Sequence, residues 1–489
     1  MLKHLIIKEI QEIITNTRSL FVLLICVLLI PLGLYVSTKE YEQNKAAYKD
    51  AKQMYEERNK DNKGMEFIAE GYIPPSPLSI FSNGLSGYLP NKITTDSRGV
   101  WHAENEYGIN NPVALLFGKI DFYFIITIIL SLLAFMVTFN SISGEKENGT
   151  LRLIVANAVP RWKIIFAKIA GSYTVFLVSF LVGIISGLVL LTLTTSIPIL
   201  SGSYLIPFLV IMMISLLFLF ILFNIGILLS IKTRNSGASI TASLLIWVLI
   251  AIIIPKVSPM IAQIIYPIKT EEVVNKQKAM KRDEIRAECD KTSGELMKSI
   301  MSDRGMNAET LDFFSMGNDP KVKASLAEYD GKIADVKRKY DEMENNAISL
   351  IEKDYHNQQL VQQNISKNIS RISPIGCYTY LISDLTNTGL SELSNIEYNA
   401  RKFSGFTESD FYSKLRKYYK EYHIGFSVSK GIFGQVDWSS IQVPTLSTYT
   451  YPLMSSSLGV NWIDLLFLCF YALFFFTVSV FQFIKYDVR

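Results

Sequence analysis

The chain has 489 residues, 49% of them hydrophobic, with 48 Lys and Arg against 44 Asp and Glu for a formal net charge of +4. Positive mean hydropathy at this length excludes an ordinary soluble globule and indicates a membrane protein with a large polar part. So small a net charge gives no ground for a nucleic-acid partner, and four cysteines exclude a disulfide-stapled scaffold.

The first element is residues 1–18. Leu2, Ile6, Ile10, Ile13 and Ile14 recur at helical spacing, with Lys3, Lys8, Gln11 and Glu12 elsewhere around the helix. This pattern predicts an amphipathic helix lying on the cytoplasmic membrane surface. No small-residue cleavage site follows the first apolar run, so no cleavable signal is expected. A spanning helix needs about 20 mostly apolar residues. Six stretches qualify: 19–36, 121–140, 171–194, 205–231, 239–255 and 462–484, the first and fifth being short enough to need flanking residues. None has an Asp, Glu, Lys or Arg in its middle, and Asn224 is the main polar residue at depth, expected to bond across helices.

Short loops set the orientation. Residues 1–18 hold Lys3, Lys8 and Arg18, residues 141–170 hold five Lys and Arg, 232–238 hold Lys232 and Arg234, and the tail 485–489 holds Lys485 and Arg489. The one short loop on the other side, Ser196–Tyr204, holds none. The positive-inside rule therefore predicts both termini inside, with the long segments 37–120 and 256–461 outside the cytoplasm.

In the first outer segment, Lys39–Asn59 extends the first span's helix, and the Pro- and Gly-rich stretch after it is expected as extended chain packed on another part. In the second, Glu271–Ser302 is charged and helix-prone. Residues 322–350 alternate in fours and threes through Val322, Leu326, Tyr329, Ile333, Val336, Tyr340, Met343, Ala347 and Leu350. That is a coiled-coil seam, predicting an antiparallel helical hairpin or a seam shared with another subunit. Cys289 and Cys377 both fall in this segment and could form a disulfide if they approach. A further helix is expected from 407 to 423, capped by Thr407 or Ser409. The fold class is thus an all-α polytopic membrane protein: six transmembrane helices, N-in and C-in, with a large, mainly helical extracytoplasmic domain.

No G-x-x-x-x-G-K-[ST] phosphate loop, H-E-x-x-H, paired C-x-x-C or G-x-S-x-G occurs, and four scattered histidines make no metal site. The chain is therefore not expected to be an enzyme by itself. What stands out is the charged stretch between the second and third spans. Glu145–Val155 can form a short helix with Glu145 and Glu147 near its positive end. Gly149 lets the backbone bend, Pro160 ends or redirects the helix, and Arg161, Lys163 and Lys168 are expected near the headgroups.

"EKENGTLRLI" at Glu145–Ile154 and "VPRWKIIFAK" at Val159–Lys168, with "NNPVALLFGKIDFYFI" before the second span and the terminal "KYDVR", resemble bacterial ABC transporter permeases of the type-2 exporter class. They are similar to a subgroup of larger members with soluble inserts after the first and fifth spans. The resemblance implies a multi-pass protein of the bacterial cytoplasmic (inner) membrane, a second permease subunit (identical or paralogous) and surrounding lipid. It implies a cytoplasmic ABC ATPase dimer that binds ATP and Mg, leaving no cofactor in this chain. It makes Glu145, Glu147, Gly149, Thr150, Leu151, Arg152, Pro160 and Arg161 the ATPase-coupling residues. Two functions then stand open: outward movement of an amphiphilic or hydrophobic compound, a lipid or a peptide, and mechanotransmission to a periplasmic or cell-wall partner with no substrate crossing.

Overall fold

The computed structural model describes residues 2–61, 69–95, 101–105, 119–156, 159–195, 202–303, 320–406, 449, 451, 459 and 461–486. The helix expected at 407–423 and the residues beyond Tyr486 lie outside these. Six helices are long and apolar enough to cross a membrane: Leu23–Arg58, Phe122–Glu147, Arg161–Thr194, Tyr204–Lys232, Ser236–Ile265 and Trp462–Lys485. The chain is an all-α polytopic membrane protein in which one small sheet is added. It divides into two units, one of residues 1–255 with 370–489 and one of residues 256–369.

The first unit begins with α1 (Leu2–Thr15) and α2 (Thr17–Asp61), a single helix that carries the first span into a polar extension. α3 (122–138) follows, with a π-helical stretch at Ile125–Leu130. Two short helices, α4 (Ser143–Glu147) and α5 (Thr150–Ala156), lead into α6 (Arg161–Thr194). α7 (Gly202–Lys232) and α8 (Ser236–Ile265) complete the run, α8 having its own π stretch at Leu249–Ile253. A π turn leaves backbone groups poorly matched, and side chains meet them here. Ser373 Oγ donates to the Ile250 carbonyl at 2.8 Å, and Ser131 Oγ to that of Thr127 at 2.5 Å. Trp247 Nε1 donates to the same Ser131 hydroxyl at 2.8 Å and so joins the two π-bearing spans.

Close helix approach in the span bundle uses small residues, as packing in lipid favours. Gly183 and Gly187, one turn apart on α6, face Ile30 and Leu34 of α2. α11 is the short helix Pro374–Leu385, labelled after α9 and α10 below, and it is buried among the spans. Pro374 fits the first helical turn and Ser373 caps it. Tyr378, fully buried, stacks between Phe218 and Tyr123 with centroids 4.6 and 6.1 Å away, and its hydroxyl meets Ser215 Oγ at 2.8 Å. α13 (Trp462–Lys485) is the last span. Its buried Asp464 takes a two-pronged ion pair from Arg371, at 2.6 and 2.9 Å.

Beyond the spans, β1 (Ala69–Tyr72), β2 (Lys92–Thr95) and β3 (Trp101–Glu104) form an antiparallel meander, Gly71 opposite Ile93 and Ile93 opposite Ala103. Ile93 packs with Ile396, Ala400 and Phe403 of α12 (Leu390–Phe406). The stretch between β1 and β2 is the Pro- and Gly-rich chain expected to pack on another part. Phe81 inserts against Phe122 and Phe208, at 5.7 and 5.5 Å.

The second unit is the helical pair α9 (Glu271–Asp303) and α10 (Pro320–Ser370). Lys278 pairs with Glu352 at 2.7 Å, Arg282 and Arg286 with Glu344 at 3.3 Å each, and Thr292 with Tyr340 at 2.8 Å. Rising numbers on one arm meet falling numbers on the other, so the arms are antiparallel and zipped within the chain. At 1.5 Å per residue they are about 50 and 75 Å long. Val274, Ile285, Ile300 and Ile333 are buried, whereas Met343 and Leu350 of the heptad seam are exposed. The seam turns away from the partner arm there because Glu344 takes the contact. All four cysteines are free: Cys289 bonds within α9 to Ser293, and Cys377 is fully buried with its thiol on the Arg371 carbonyl at 3.6 Å. The possible Cys289–Cys377 disulfide is not formed, since Cys377 faces the span core.

Candidate functional site: a knob tied to the span ends

The stretch predicted as one helix over Glu145–Val155 is two. Asn148 ends α4, and Gly149 adopts a left-handed φ of +72° before α5 begins at Thr150. A residue with a Cβ is strained there, by about 1–2 kcal/mol, although the space around Gly149 is open. Pro160 precedes the helix rather than ending one, and α6 starts at Arg161, so the third span's helix extends ten residues beyond its apolar part.

The base of this knob is anchored on three helix ends and two side-chain clusters. Ser230 Oγ of α7 accepts from the Ile142 and Ser143 amides, at 3.0 and 2.9 Å, capping the donors that open α4. Lys146 Nζ returns the contact, donating to the carbonyls of Ile231 and, at 2.8 Å, Thr233, where a cation suits the negative end of α7. The same ammonium lies 4.3 Å from the Tyr486 ring centroid. Glu147 accepts from the Ser236 amide at 3.1 Å, an anion at the positive start of α8. Arg161 donates to the Ile484 and Tyr486 carbonyls at 2.8 and 2.7 Å, closing the end of α13. Leu151, 2% exposed, plugs α5 into an apolar cluster of Ile142, Ile164, Ile165, Ile227, Ile231 and Phe483.

The fifth anchor is a buried charge cluster. Lys168 of α6 is 2% exposed, with its ammonium 2.8 Å from Glu145 Oε1 and 3.1 and 3.3 Å from the carboxylate of Glu9 on α1. Lys168 is therefore not at the headgroups. Its four-carbon stem runs inward, and two carboxylates repay the desolvation of its charge. Glu12 brings a third carboxylate within 4.8 Å of the other two, but it is exposed and pairs with Lys8 at 3.8 Å, while Lys168 is held by Glu9 and Glu145. The contact requires α1 to lie close on α6. Gly171 permits it, since a Cβ there would stand 2.7 Å from that of Glu9. Glu9 was the residue missed by the sequence pattern. Its signal is a carboxylate between Ile6 and Ile13 on the apolar stripe of α1, just as Lys168 stands among Ile164, Ile165 and Ile169.

Of the eight coupling residues named from sequence, Glu145, Glu147, Leu151 and Arg161 form the base. Gly149, Thr150 and Arg152 form the exposed tip, joined there by Leu153, which is 71% exposed, and Pro160 is exposed at the start of α6. The chain end, the α7–α8 turn and α1 all meet at this one end of the span bundle.

A family model described as ABC-2 family transporter protein matches residues 4–488. The chain belongs to the ABC-2 transporter family. It is the permease, the membrane subunit, of an ABC transporter, and this family works with an ABC ATPase partner. A search of curated proteins found no match. In this permease the geometry makes the charged stretch after the second span a joint between α1 and the ends of five spans.

Proposed function

We propose that the knob tip is the docking surface for a cytoplasmic dimer of ABC ATPases, and that the permease is an exporter acting with a second permease subunit, identical or paralogous. ATP and Mg belong to the ATPase. Closure of the ATPase dimer pushes on Gly149–Leu153, and the base passes the displacement to α3, α6, α7, α8 and α13 together. The observation that carries this reading is the division of one short stretch into a five-fold anchored base and an exposed tip. The orientation follows: the basic short loops and the knob face the cytoplasm of a bacterial inner membrane, and 37–120 and 256–461 belong to the opposite side, with α11 reaching back among the spans. Spans with no charged residue in their middle favour an amphiphilic or hydrophobic compound, a lipid or a peptide as cargo. The test is Arg152→Glu with Leu153→Asp in the complex reconstituted with its cognate ATPase. Loss of permease-dependent ATP hydrolysis at unchanged melting temperature is expected; undiminished hydrolysis would remove the tip from the docking role.

The zipped hairpin of α9 and α10 favours a second reading, mechanotransmission, in which a stiff outer rod acts on a periplasmic or cell-wall partner. Deleting residues 270–365 separates the two. Transport that survives the deletion in purified complex supports export, and loss of function with the spans intact supports the rod.

A further inference from the structure

Away from the knob, at the other end of the first unit, a cavity of about 100 Å³ opens between the polar end of α2, the turn between β1 and β2, and the start of α12. Its walls are partly apolar, from Ile73, Pro74, Pro75, Leu89 and Ile396. Its polar groups are unevenly used. Lys119 is committed to Glu40, which also accepts from Asn83 Nδ2 at 2.7 Å. Glu392, 2% exposed, is met by neutral donors, the Tyr449 hydroxyl and Asn395 Nδ2, and no cation pairs with it among the described residues. Among the described residues, Ser76 Oγ, on a residue 5% exposed, has no hydrogen-bond partner, and neither has Asn387 Oδ1. Asn387 also holds a φ of +57°, the only non-glycine residue with positive φ among those described.

Buried polar atoms without partners are rare and need a reason, and non-glycine residues held in the left-handed region concentrate at ligand clamps. The open valences share one character. Asn387 Oδ1 can only accept, Ser76 Oγ can accept, and the Glu392 carboxyl lacks a cation. Counting Glu40, Lys119 and Glu392 at full ionisation, the lining is one negative charge in excess. Carboxylates and amide oxygens beside a short apolar wall make a receptor for a donor with positive charge on an aliphatic stem.

We propose that this cavity binds a small primary amine, its ammonium on Glu392, Asn387 and Ser76 and its methylene stem along Pro74, Pro75 and Leu89. The volume suits an ammonium with a few carbons rather than a whole large substrate. The site is separate from the knob, and binding to it requires no ATPase.

The test titrates 1,5-diaminopentane at pH 8, where the Glu392 carboxyl is ionised, into the purified full-length permease in detergent by calorimetry, with 1,5-pentanediol and glutarate as neutral and anionic counterparts. Saturable binding of the diamine alone is expected. Asn387→Gly removes the unpaired acceptor and relieves the backbone, so the variant should melt no lower than the parent while binding about tenfold more weakly. Glu392→Gln keeps the bond from Tyr449 and should weaken binding at least as much. Equal binding of pentanediol, affinity within about twofold of the parent in both variants, or no saturable diamine binding would each overturn the assignment.

Discussion

Lys168→Met leaves the Glu9 and Glu145 carboxylates facing each other in a buried site with no cation between them. Both side chains are about nine-tenths buried, at 11% and 10% exposure, and Glu145 Oε2 already has no partner. Breaking a buried pair by removing one member costs about 3–5 kcal/mol. At about 2 °C per kcal/mol, the low end for large domains, melting should drop by about 6–10 °C. Glu9→Gln on its own keeps the 2.8 Å pair between Lys168 and Glu145 and relieves repulsion between carboxylates, so it should cost well under half as much. The triple change Glu9→Gln, Glu145→Gln, Lys168→Met removes every buried charge and should recover most of the loss, because isosteric neutral replacement of buried ions is often harmless. The assay is a thiol-reactive dye melt of the purified permease, which reads exposure of the buried Cys26 and Cys377. If Lys168→Met melts within about 2 °C of the parent, or the triple variant is no better than Lys168→Met, the three groups do not act as one buried cluster.

Gly149→Ala meets open space but keeps a left-handed backbone. It should strain the joint by about 1–2 kcal/mol, lowering the detergent melting temperature by only about 2–4 °C while reducing permease-dependent ATP hydrolysis in the reconstituted complex. Burial pushes the Glu392 carboxyl up to about 7 from 4.5, against the lowering effect of hydrogen bonds from Tyr449 and Asn395, with the Asp384 charge adding to the rise. The folded chain then holds a proton that the unfolded chain releases at lower pH. Stability should fall as pH climbs from about 4.5 to about 7, by roughly 3 kcal/mol at most at 1.36 per unit. Melting of Glu392→Gln should therefore match the parent near pH 5 and exceed it near pH 8. Arg371→Ala strands the fully buried Asp464 and should lower melting by several degrees, and Arg371→Lys, which cannot make the two-pronged contact, should fall between.

The spans were legible because apolar length alone identifies them, and the first span's helix extends further because polar residues with good helix propensity continue the turn from Ser37 to Asp61. The location of the knob was legible from its charge. Its construction was not, because the anchors for Lys146 and Arg161 are backbone carbonyls at distant helix ends, which leave no mark in a sequence. Glu9 and Lys168 did leave one, as charges on apolar stripes, although neither reveals its partner alone. The second hairpin arm extends past Leu350 to Ser370 although the next seam positions are the polar Asp354 and Asn357, which end the apolar pattern but not the helix. Gln362, next to the seam position of Val361, donates its amide to the Tyr266 carbonyl at 2.8 Å, a contact that no apolar pattern marks. The sheet escaped notice because strands of four residues are too short to show an alternation, and α11 because its buried face is built of Cys, Tyr and Gly as much as of aliphatic residues.

The most direct test of the knob as an ATPase joint is site-specific cross-linking from Leu153→Cys at its exposed tip to the cognate ATPase in native membranes, with Met280→Cys on the exposed side of α9 as the comparison. A cross-link from position 153 whose yield changes when ATP is trapped on the ATPase, and none from position 280, is the predicted result. A cross-link from 280 with none from 153 would contradict both the docking surface and the orientation built on it.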